Sequence, residues 1–415
     1  MNFNSSNGRF SEKSIGRVLT GIAFLYQAIA VVVVVWALVV AAQWIREPFL
    51  GSFYEHTLVF TDPAADSTGV WAFNKIVNSG DQLVAINGTD VKNSRDVREV
   101  LSSFVPGENV TATVKFKNGE TRDLSVELQR FPEDAVSIYL ILPSIISFVF
   151  LVLSIWTFGL RRNEPSGRAF ALFASSFAIV TGTIFNLWTS HEFTTIWTAA
   201  VAIAGGANIA LALSFPASPR LIINRPYLRW MGFALSFVLT AITIPYLFNS
   251  QNPTEYIAKW QNLYYFAAVG ILSLLGSNLY YSLYSQSPVV KLQARTTLIG
   301  AVFAFLPLTV YLVFGNIFSI KFSPWLFLPV VIFPAIMGYN IMRFRFLRTD
   351  DLARRGVMYV LLTAIVTMGY ALVAAGAAFL FGNSLPQNYL AGLFILVLAI
   401  VLEPLRIRLQ NLTDV

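Results

Sequence analysis

The feature that most constrains this chain is the recurrence of apolar runs long enough to cross a lipid bilayer. A bilayer core about 30 Å thick takes about 20 apolar residues in a helix, and the first such run, over 17–43, contains five consecutive valines, Val31 to Val35. Further runs follow at 136–160, 169–189, 195–215, 230–249, 263–284, 297–316, 325–342, 356–381 and 389–403. The sequence predicts a polytopic α-helical membrane protein with about ten transmembrane helices, the first of them an uncleaved signal anchor.

The composition agrees with membrane residence and narrows the chemistry. Of the 415 residues, 56% are hydrophobic and 12% are charged, whereas soluble domains carry roughly a quarter charged residues. These values exclude a secreted enzyme, a disordered regulator and a nucleic-acid-binding protein. The chain has no cysteine and two histidines, which excludes disulfides, thiolate nucleophiles and cysteine metal sites. We therefore expect no catalytic residues, no metal and no cofactor.

The positions of the basic residues predict the orientation of the helices. If the N-terminus is cytoplasmic, 18 of the 29 Lys and Arg residues lie on the cytoplasmic side, 2 in short outer loops and 9 in the segment 46–134. Cytoplasmic loops carry an excess of Lys and Arg, so both termini are expected in the cytoplasm. The predicted organisation is a cytoplasmic N-terminus with a signal-anchor helix (1–45), an extracytoplasmic domain (46–134), a bundle of about nine helices (135–405) and a cytoplasmic exit segment (406–415).

The segment 46–134 has the pattern of a small α+β domain. Gly80–Gly88 (GDQLVAING) predicts a turn, an alternating strand and an Asn-Gly turn. The apolar spacing in Asp96–Phe104 is typical of one face of a short helix. Alternating residues in Val110–Phe116 and Leu124–Leu128 flank Asn118-Gly119, which indicates a hairpin. This order of strand, helix and hairpin resembles a PDZ domain, inserted after the first helix.

The resemblance to PDZ domains implies a peptide groove. Such domains hold a C-terminal carboxylate with the backbone N–H groups of a loop, and Phe49–Phe53, followed by a strand-like Tyr54–Phe60, is the nearest candidate. The candidate peptide-binding residues are Arg46, Leu50, Gly51, Ser52, Phe53, Tyr54, Val97 and Leu101. Two alternatives stay open: residues 49–53 are merely the linker that leaves the membrane, or the domain serves dimerisation or docking.

The sequence lacks the residues that zinc proteases and ion-coupled transporters need. His191-Glu192-Phe193-Thr194-Thr195 begins an H-E-x-x-H zinc motif, but Thr195 stands where the second histidine is required. His191 is therefore interpreted as an interfacial loop residue. No ionisable residue lies deep in a predicted span, which argues against pumps and proton-coupled carriers. A passive transporter would have the polar candidates Asn186, Asn208, Asn278, Asn316 and Asn340, although helix-to-helix hydrogen bonding is the favoured interpretation of these asparagines. The run Gly205-Gly206-Ala207 beside Asn208 is more typical of a close helix contact than of a ligand site.

Several stretches beyond the segment 46–134 resemble a known family. They are Arg161–Phe170 (RRNEPSGRAF), Gly205–Ala207 with Leu211–Pro216 (GGA and LALSFP), Arg343–Leu347 with Asp350, Arg354 and Arg355, and Pro404–Gln410 (PLRIRLQ). With the order of helix, outer domain and bundle, these runs resemble the N-terminal sensor halves of ComP-like bacterial membrane histidine kinases, including many from Chloroflexi and cyanobacteria. The resemblance implies a location in the bacterial plasma membrane.

In that family the last span leads into cytoplasmic signalling modules and a kinase. The resemblance therefore implies a membrane sensor that recognises a peptide, lipid or protein outside the cytoplasm and passes the signal to a cytoplasmic kinase domain or partner. Membrane lipids and a second copy in a homodimer are further expected partners. The candidate output residues are Arg343, Arg345, Arg354, Arg355, Arg406 and Arg408. Kinase activity itself would lie beyond Val415 or on a partner; the alternative functions are a membrane adaptor or assembly protein and a passive transporter.

Overall fold

The computed structural model describes residues 6–61, 71, 73, 76–249, 252–318 and 320–343. The predicted spans 356–381 and 389–403 lie outside the described residues, as do Arg345, Arg354, Arg355, Arg406 and Arg408.

The described chain is mostly helical and contains six helices long and apolar enough to cross a membrane. They are Gly16–Trp44, Glu133–Arg161, Thr194–Ala212, Pro226–Leu247, Glu255–Tyr284 and Pro288–Phe314. Each coincides with an apolar run of the sequence. The prediction of a polytopic α-helical membrane protein is confirmed at this level.

The described residues form twelve α-helices. In chain order they are α1 (Ser6–Trp44), α2 (Ser94–Leu101), α3 (Glu133–Val136), α4 (Leu142–Arg161), α5 (Pro165–Gly182), α6 (Ile184–Trp188), α7 (Thr194–Ala212), α8 (Arg220–Asn224), α9 (Met231–Leu247), α10 (Glu255–Tyr284), α11 (Pro288–Phe314) and α12 (Ile332–Arg343). A π-helical turn, Ser137–Ile141, joins α3 to α4, and 3-10 turns cover Pro226–Trp230, Pro324–Phe327 and Pro329–Val331.

Two predicted spans differ from a single long helix. The run 169–189 divides at Thr183, whose φ of −105° and ψ of 2° end α5 before α6 begins. The run 325–342 begins with two 3-10 turns that each start at a proline, Pro324 and Pro329. Proline lacks the backbone N–H that an interior helical position donates, and the apolar helical stretch there is short, Pro324–Met337.

Glycines bring three helices of the bundle into backbone contact. A Cβ atom built on Gly206 of α7 would lie 2.6 Å from the Gly232 carbonyl oxygen of α9. A Cβ atom on Gly270 of α10 would lie 2.4 Å from the Gly205 carbonyl oxygen. Small residues permit such close approach of membrane helices. The sequence-based prediction of a close helix contact at Gly205-Gly206-Ala207 is confirmed.

Between α1 and α3 the chain forms a small α+β unit, called here the insert. Strands β3 (Gln82–Ile86), β4 (Thr89–Asp90), β5 (Asn109–Lys115) and β6 (Thr121–Glu127) form an antiparallel sheet in the order β4-β3-β5-β6. Helix α2 starts after Asn93, whose side-chain oxygen accepts hydrogen bonds from the backbone N–H groups of Arg95 and Asp96. Val97 and Leu101 of α2 pack on the sheet. The predicted order of strand, helix and hairpin over 80–128 is confirmed.

The expected strand from Tyr54 to Phe60 is instead a hairpin. Strand β1 (Phe53–Tyr54) pairs antiparallel with β2 (Phe60–Thr61), and the register places Tyr54 opposite Phe60. The chain reverses at Leu58, whose φ is +62°, and the Leu58 N–H donates to the Glu55 carbonyl over 2.8 Å. An alternating apolar pattern does not by itself reveal such a turn.

A cluster of buried aromatic rings joins the insert to the bundle. This aromatic junction consists of Trp44, Phe49, Phe53, Trp71, Phe131, Tyr139, Phe185 and Trp188. The Phe53 ring stacks on that of Trp188 with the centroids 5.7 Å apart, and Trp44 packs edge-on against Phe49 and Phe185. The insert is therefore docked on the helix ends rather than tethered by a linker.

Candidate functional site

A cleft lies between β1 and α2, where the sequence predicts the peptide groove. Its free volume is about 170 Å³, and its walls include Leu50 and Tyr54 on one side and Val97 and Leu101 on the other. Four of the eight predicted peptide-binding residues thus line one cleft. A pocket for a drug-sized ligand measures roughly 300–1,000 Å³, so the cleft is small for a peptide in this arrangement.

The loop expected to hold a carboxylate is buried under the bundle. Phe49 pairs with Gln129 through two backbone hydrogen bonds of 2.8 Å, Ser52 is fully buried, and the buried Phe53 ring stacks on Trp188 of the bundle. Gly51 has φ +79°, a left-handed conformation that strains other residues. Loop 49–53 is therefore part of the contact between insert and bundle.

The cation beside the cleft is Arg98 rather than Arg46. Arg46 lies on the exposed turn after α1 and is not among the cleft residues. Arg98 lies in the cleft wall, where its Nε is 3.2 Å from Glu47 and its Nη1 is 3.8 Å from Glu192 of the bundle. The guanidinium thus links α2, the linker after α1 and the loop before α7.

His191 of the bundle bridges the two walls of the cleft. Its Nε2 lies 2.8 Å from the Tyr54 carbonyl oxygen of β1, and its Nδ1 is hydrogen-bonded to the hydroxyl of Ser94, at the start of α2. The imidazole also stacks on the Tyr54 ring, with centroids 5.3 Å apart. His191 has a left-handed backbone conformation, with φ +62°, and its side chain points toward the insert. A PDZ-type peptide would lie between the same strand and helix.

The environment of His191 keeps the imidazole neutral. Burial lowers its pKa to about 3, which the hydrogen bond to the Tyr54 carbonyl only partly opposes. Nε2 then carries the proton and donates to the carbonyl, while Nδ1 accepts from the Ser94 hydroxyl. This assignment differs from a catalytic triad, in which the nitrogen remote from the serine donates to a carboxylate. The pair holds α2 and β1 of the insert against the bundle.

The tip of the β1–β2 hairpin is inserted into the end of the bundle. The His56 ring packs against Phe248, Tyr256 and Trp260, with centroids 5.3, 4.6 and 5.6 Å away. The Thr57 hydroxyl donates to the Pro253 carbonyl over 2.8 Å. Burial lowers the pKa of His56 to about 4, so the hairpin tip is neutral at this position.

A second, larger cavity lies inside the bundle directly below the hairpin. Its volume is about 900 Å³, and it runs among α5, α7, α10 and α11. The aromatic rings of Trp188, Trp197 and Trp260 line it, and Glu55 of the hairpin faces it. The Oε2 atom of Glu55 is buried without a hydrogen-bond partner among the described residues. Burial raises the pKa of this carboxyl to about 8.

Sequence patterns missed the residues that connect these two spaces. Ser94, Arg98 and Glu55 belong to no motif. The incomplete H-E-x-x-H run drew attention to His191 but gave no indication of its contact with Ser94, 97 positions away. The rarity of histidine was the one available signal, because both histidines of the chain lie at the contact between insert and bundle. Of the predicted output residues, Arg343 is the last described residue and ends α12.

Comparison with known proteins gives a limited result. No protein-family model matches the chain, and no solved structure matches it. A protein of Bartonella henselae described as a probable periplasmic serine endoprotease DegP-like is 33% identical over 58 residues, which are 14% of this chain and 11% of that protein. The chain thus spans about a ninth of the length of this relative, and the match is to a short segment.

Proposed function

We propose that this protein is a multi-pass sensor of the bacterial plasma membrane. The insert, a PDZ-like domain on the extracytoplasmic side, recognises a peptide or protein, and the helices transmit the event to a cytoplasmic histidine-kinase domain or partner. The proposal includes about ten spans, cytoplasmic termini and a homodimer, and it assigns no enzymatic activity to these residues. The resemblance to ComP-like kinases and the distribution of basic residues support it.

The observation that supports the proposal most strongly is that the β1–β2 hairpin lines both the cleft and the bundle cavity. Tyr54 of β1 contributes to the peptide cleft, and the next residue, Glu55, faces the bundle cavity. His191 of the bundle is hydrogen-bonded to Tyr54 of β1 and to Ser94 of α2, two residues that line the cleft. A peptide that binds between β1 and α2 would compete with this imidazole for these partners and so alter the contact between insert and bundle. A ligand shifts such an equilibrium only through its different affinity for the two arrangements.

A distance measurement on the chain in lipid nanodiscs tests the proposal. The protein has no cysteine, so Asn118→Cys on the β5–β6 turn and Asn252→Cys before α10, both exposed, accept spin labels specifically. We expect a pool of peptides with free C-terminal carboxylates to change the distance between the labels. His191→Ala should bind these peptides about 10-fold more tightly, because the competing side chain is gone.

The same experiment separates the sensor from an adaptor. Peptide binding that leaves the distance distribution unchanged would indicate an adaptor that captures partners without signalling. No peptide binding to either variant would mean that the cleft serves only to dock the insert on the bundle. Ser103→Ala, an exposed serine just after α2 that does not line the cleft, is the matched control and should behave as the wild type.

A further inference from the structure

The large cavity of the bundle has the dimensions of a site for a chain-bearing ligand. Along α10 it is lined from Tyr256 to Ile271, which at 1.5 Å per residue corresponds to a depth of about 22 Å. Its volume of about 900 Å³ lies within the roughly 300–1,000 Å³ of small-molecule sites. The cavity is therefore long and narrow, and its shape fits one extended apolar chain.

The deep part and the outer part of the cavity differ in chemistry. The deep part is formed by side chains of Phe173, Val201, Ile271 and Phe305. Burial of an apolar ligand against this surface is favourable by about 25 cal/mol for each Å² of ligand area that is removed from water. Asn208 of α7 also lines the cavity, and its Oδ1 is buried without a hydrogen-bond partner among the described residues. Apart from this amide the deep wall is apolar, so this part is suited to a hydrocarbon tail.

The outer part, beneath the insert, carries the charges. Glu55 is 8% exposed, and it lines the cavity together with Tyr256, Tyr264 and Tyr311. The buried Oε2 has no hydrogen-bond partner among the described residues, and a buried acceptor without a donor is costly. A ligand that brings a donor, best of all an ammonium group, removes this cost through a charge-assisted hydrogen bond.

Two lysines define the rim of the same opening. Lys117, on the turn after β5, and Lys321, before the 3-10 turn at Pro324, both line the cavity and are exposed. A head group that placed only a positive charge here would be repelled by both. A zwitterionic head group matches the arrangement, because its anionic part meets the lysines and its ammonium part reaches the carboxyl of Glu55.

We propose that the bundle cavity binds an amphiphile with one apolar chain in the cavity and a zwitterionic head group in which an ammonium group contacts Glu55. The head-group chemistry is that of an aminophospholipid, which is available either as a bilayer lipid or as a free single-chain lipid. This site is distinct from the peptide cleft and does not depend on the proposed signalling role. Burial raises the pKa of Glu55 to about 8, so binding of an ammonium group would be coupled to ionisation of this carboxyl.

Quenching of tryptophan fluorescence by a matched pair of lipids tests the site. Trp188, Trp197 and Trp260 line the cavity, and a bromine atom on the acyl chain quenches an indole that it contacts. The probes are brominated lysophosphatidylethanolamine and brominated lysophosphatidylglycerol with identical chains, added to the full chain in phosphatidylcholine nanodiscs. The two probes differ in the ammonium group, so unspecific partition into the bilayer is controlled by the glycerol probe.

We expect saturable quenching by the ethanolamine probe, with about 10-fold higher affinity than for the glycerol probe. Glu55→Gln should abolish this preference while the protein remains folded, because the amide is isosteric. Glu127→Gln, at an exposed position of β6, is the matched control and should keep the preference. Ala204→Phe, which fills the cavity from α7, should remove saturable quenching by both probes.

The outcomes that overturn the proposal are defined by the same titrations. The proposal is wrong if the ethanolamine probe gives no saturable quenching, or if Glu55→Gln keeps the full preference for it. Nanodiscs that also contain diacyl phosphatidylethanolamine distinguish the sources of the ligand. Competition by the diacyl lipid supports a bilayer lipid as the occupant, and its absence supports a free single-chain lipid.

Discussion

The helix contacts of the bundle and the contact between bundle and insert are built from different residues. Within the bundle, Gly205 and Gly206 press backbone against backbone, so any added atom must move a helix. At the insert, large rings and one histidine bridge make the contact, the cleft of about 170 Å³ lies beside it, and the bundle cavity of about 900 Å³ reaches it at Glu55. A backbone-to-backbone contact cannot shift without moving a whole helix, whereas side chains beside free volume can change rotamer. We therefore expect a rearrangement to occur more readily between insert and bundle than at the glycine contacts.

The largest effect is expected at the aromatic junction, from Phe53→Ala. The Phe53 ring is 1% exposed and lies against Trp71, Phe131 and Trp188. Removal of a buried phenylalanine costs about 3–5 kcal/mol. We expect the insert to undock and become sensitive to limited proteolysis while the helices stay folded, as measured by proteolysis and thermal unfolding in detergent.

The control for this variant is Phe237→Ala, because Phe237 is 77% exposed on α9. It should change neither the proteolysis pattern nor the melting temperature in detergent. If Phe53→Ala instead unfolded insert and helices together, the two regions would form one cooperative unit and the comparison would fail.

A smaller loss of stability, which affects the whole bundle, is expected from Gly206→Val. The new Cβ atom would lie 2.2 Å from the Ser236 hydroxyl and 2.6 Å from the Gly232 carbonyl oxygen. Overpacking of this kind costs about 1–3 kcal/mol, and we expect a lower melting temperature with an unchanged proteolysis pattern of the insert. Gly276→Val is the matched control, because a Cβ atom there meets nothing within 4 Å. Equal effects of the two variants would contradict a close contact at Gly206.

The sequence predicted the features that depend on local pattern. The apolar runs located the six long helices, Gly205-Gly206 indicated the close contact, and the turn at Asn118-Gly119 placed the β5–β6 hairpin. These features depend on residues that are adjacent in sequence or repeat along one helix.

The contacts at the candidate site could not be predicted in this way. His191 meets Tyr54 across 137 positions, and which surface of the insert faces the helices depends on the whole tertiary structure. For residues 49–53 the sequence left a carboxylate-binding loop and a linker open. The left-handed conformation of Gly51 and the stacking of Phe53 on Trp188 of the bundle depend on the tertiary structure. Glu55 belongs to no sequence motif, and its position in the wall of the bundle cavity is visible only in the structure.

The pH dependence of the free energy of unfolding should separate the contribution of the buried histidines, His56 and His191, from that of Glu55. Burial lowers the pKa of His191 to about 3 and that of His56 to about 4, so the unfolded chain binds protons that the folded chain cannot. Stability should therefore fall as the pH drops below 6.5. Burial raises the pKa of Glu55 to about 8, so stability should also fall as the pH rises from 4.5 to 8.

Each group contributes a slope of about 1.4 kcal/mol per pH unit at most. Above pH 6.5 only Glu55 of the three contributes, and below pH 4.5 only the histidines do. We expect Glu55→Gln to flatten the loss of stability between pH 6.5 and 8, and His191→Gln to reduce the loss below pH 6.5. Thermal unfolding from pH 4 to 8.5 measures both branches. A Glu55→Gln variant with the alkaline branch of the wild type would contradict a buried carboxyl.

The smallest effect is expected from Arg98→Gln, which removes the ion pairs at the cleft. The Arg98 and Glu47 side chains are 38% and 31% exposed, and pairs as accessible as these contribute about 0–1 kcal/mol. The stability should barely change, but Arg98 lowers the pKa of Glu47 against the effect of burial, so the variant should raise this pKa further. The pKa of the Glu47 carboxyl in NMR titration measures the change.

Arg122→Gln provides the comparison on the far face of the insert. Arg122 pairs with Glu120 over 2.7 Å on the exposed β5–β6 hairpin, and it does not line the cleft. It should leave both the pKa of Glu47 and the peptide affinity unchanged, whereas Arg98→Gln should change the peptide affinity because its guanidinium also reaches Glu192. If both variants left the peptide affinity unchanged, Arg98 would contribute no more to peptide binding than the exposed Arg122. Any effect of a peptide on the contact between insert and bundle would then have to act through His191.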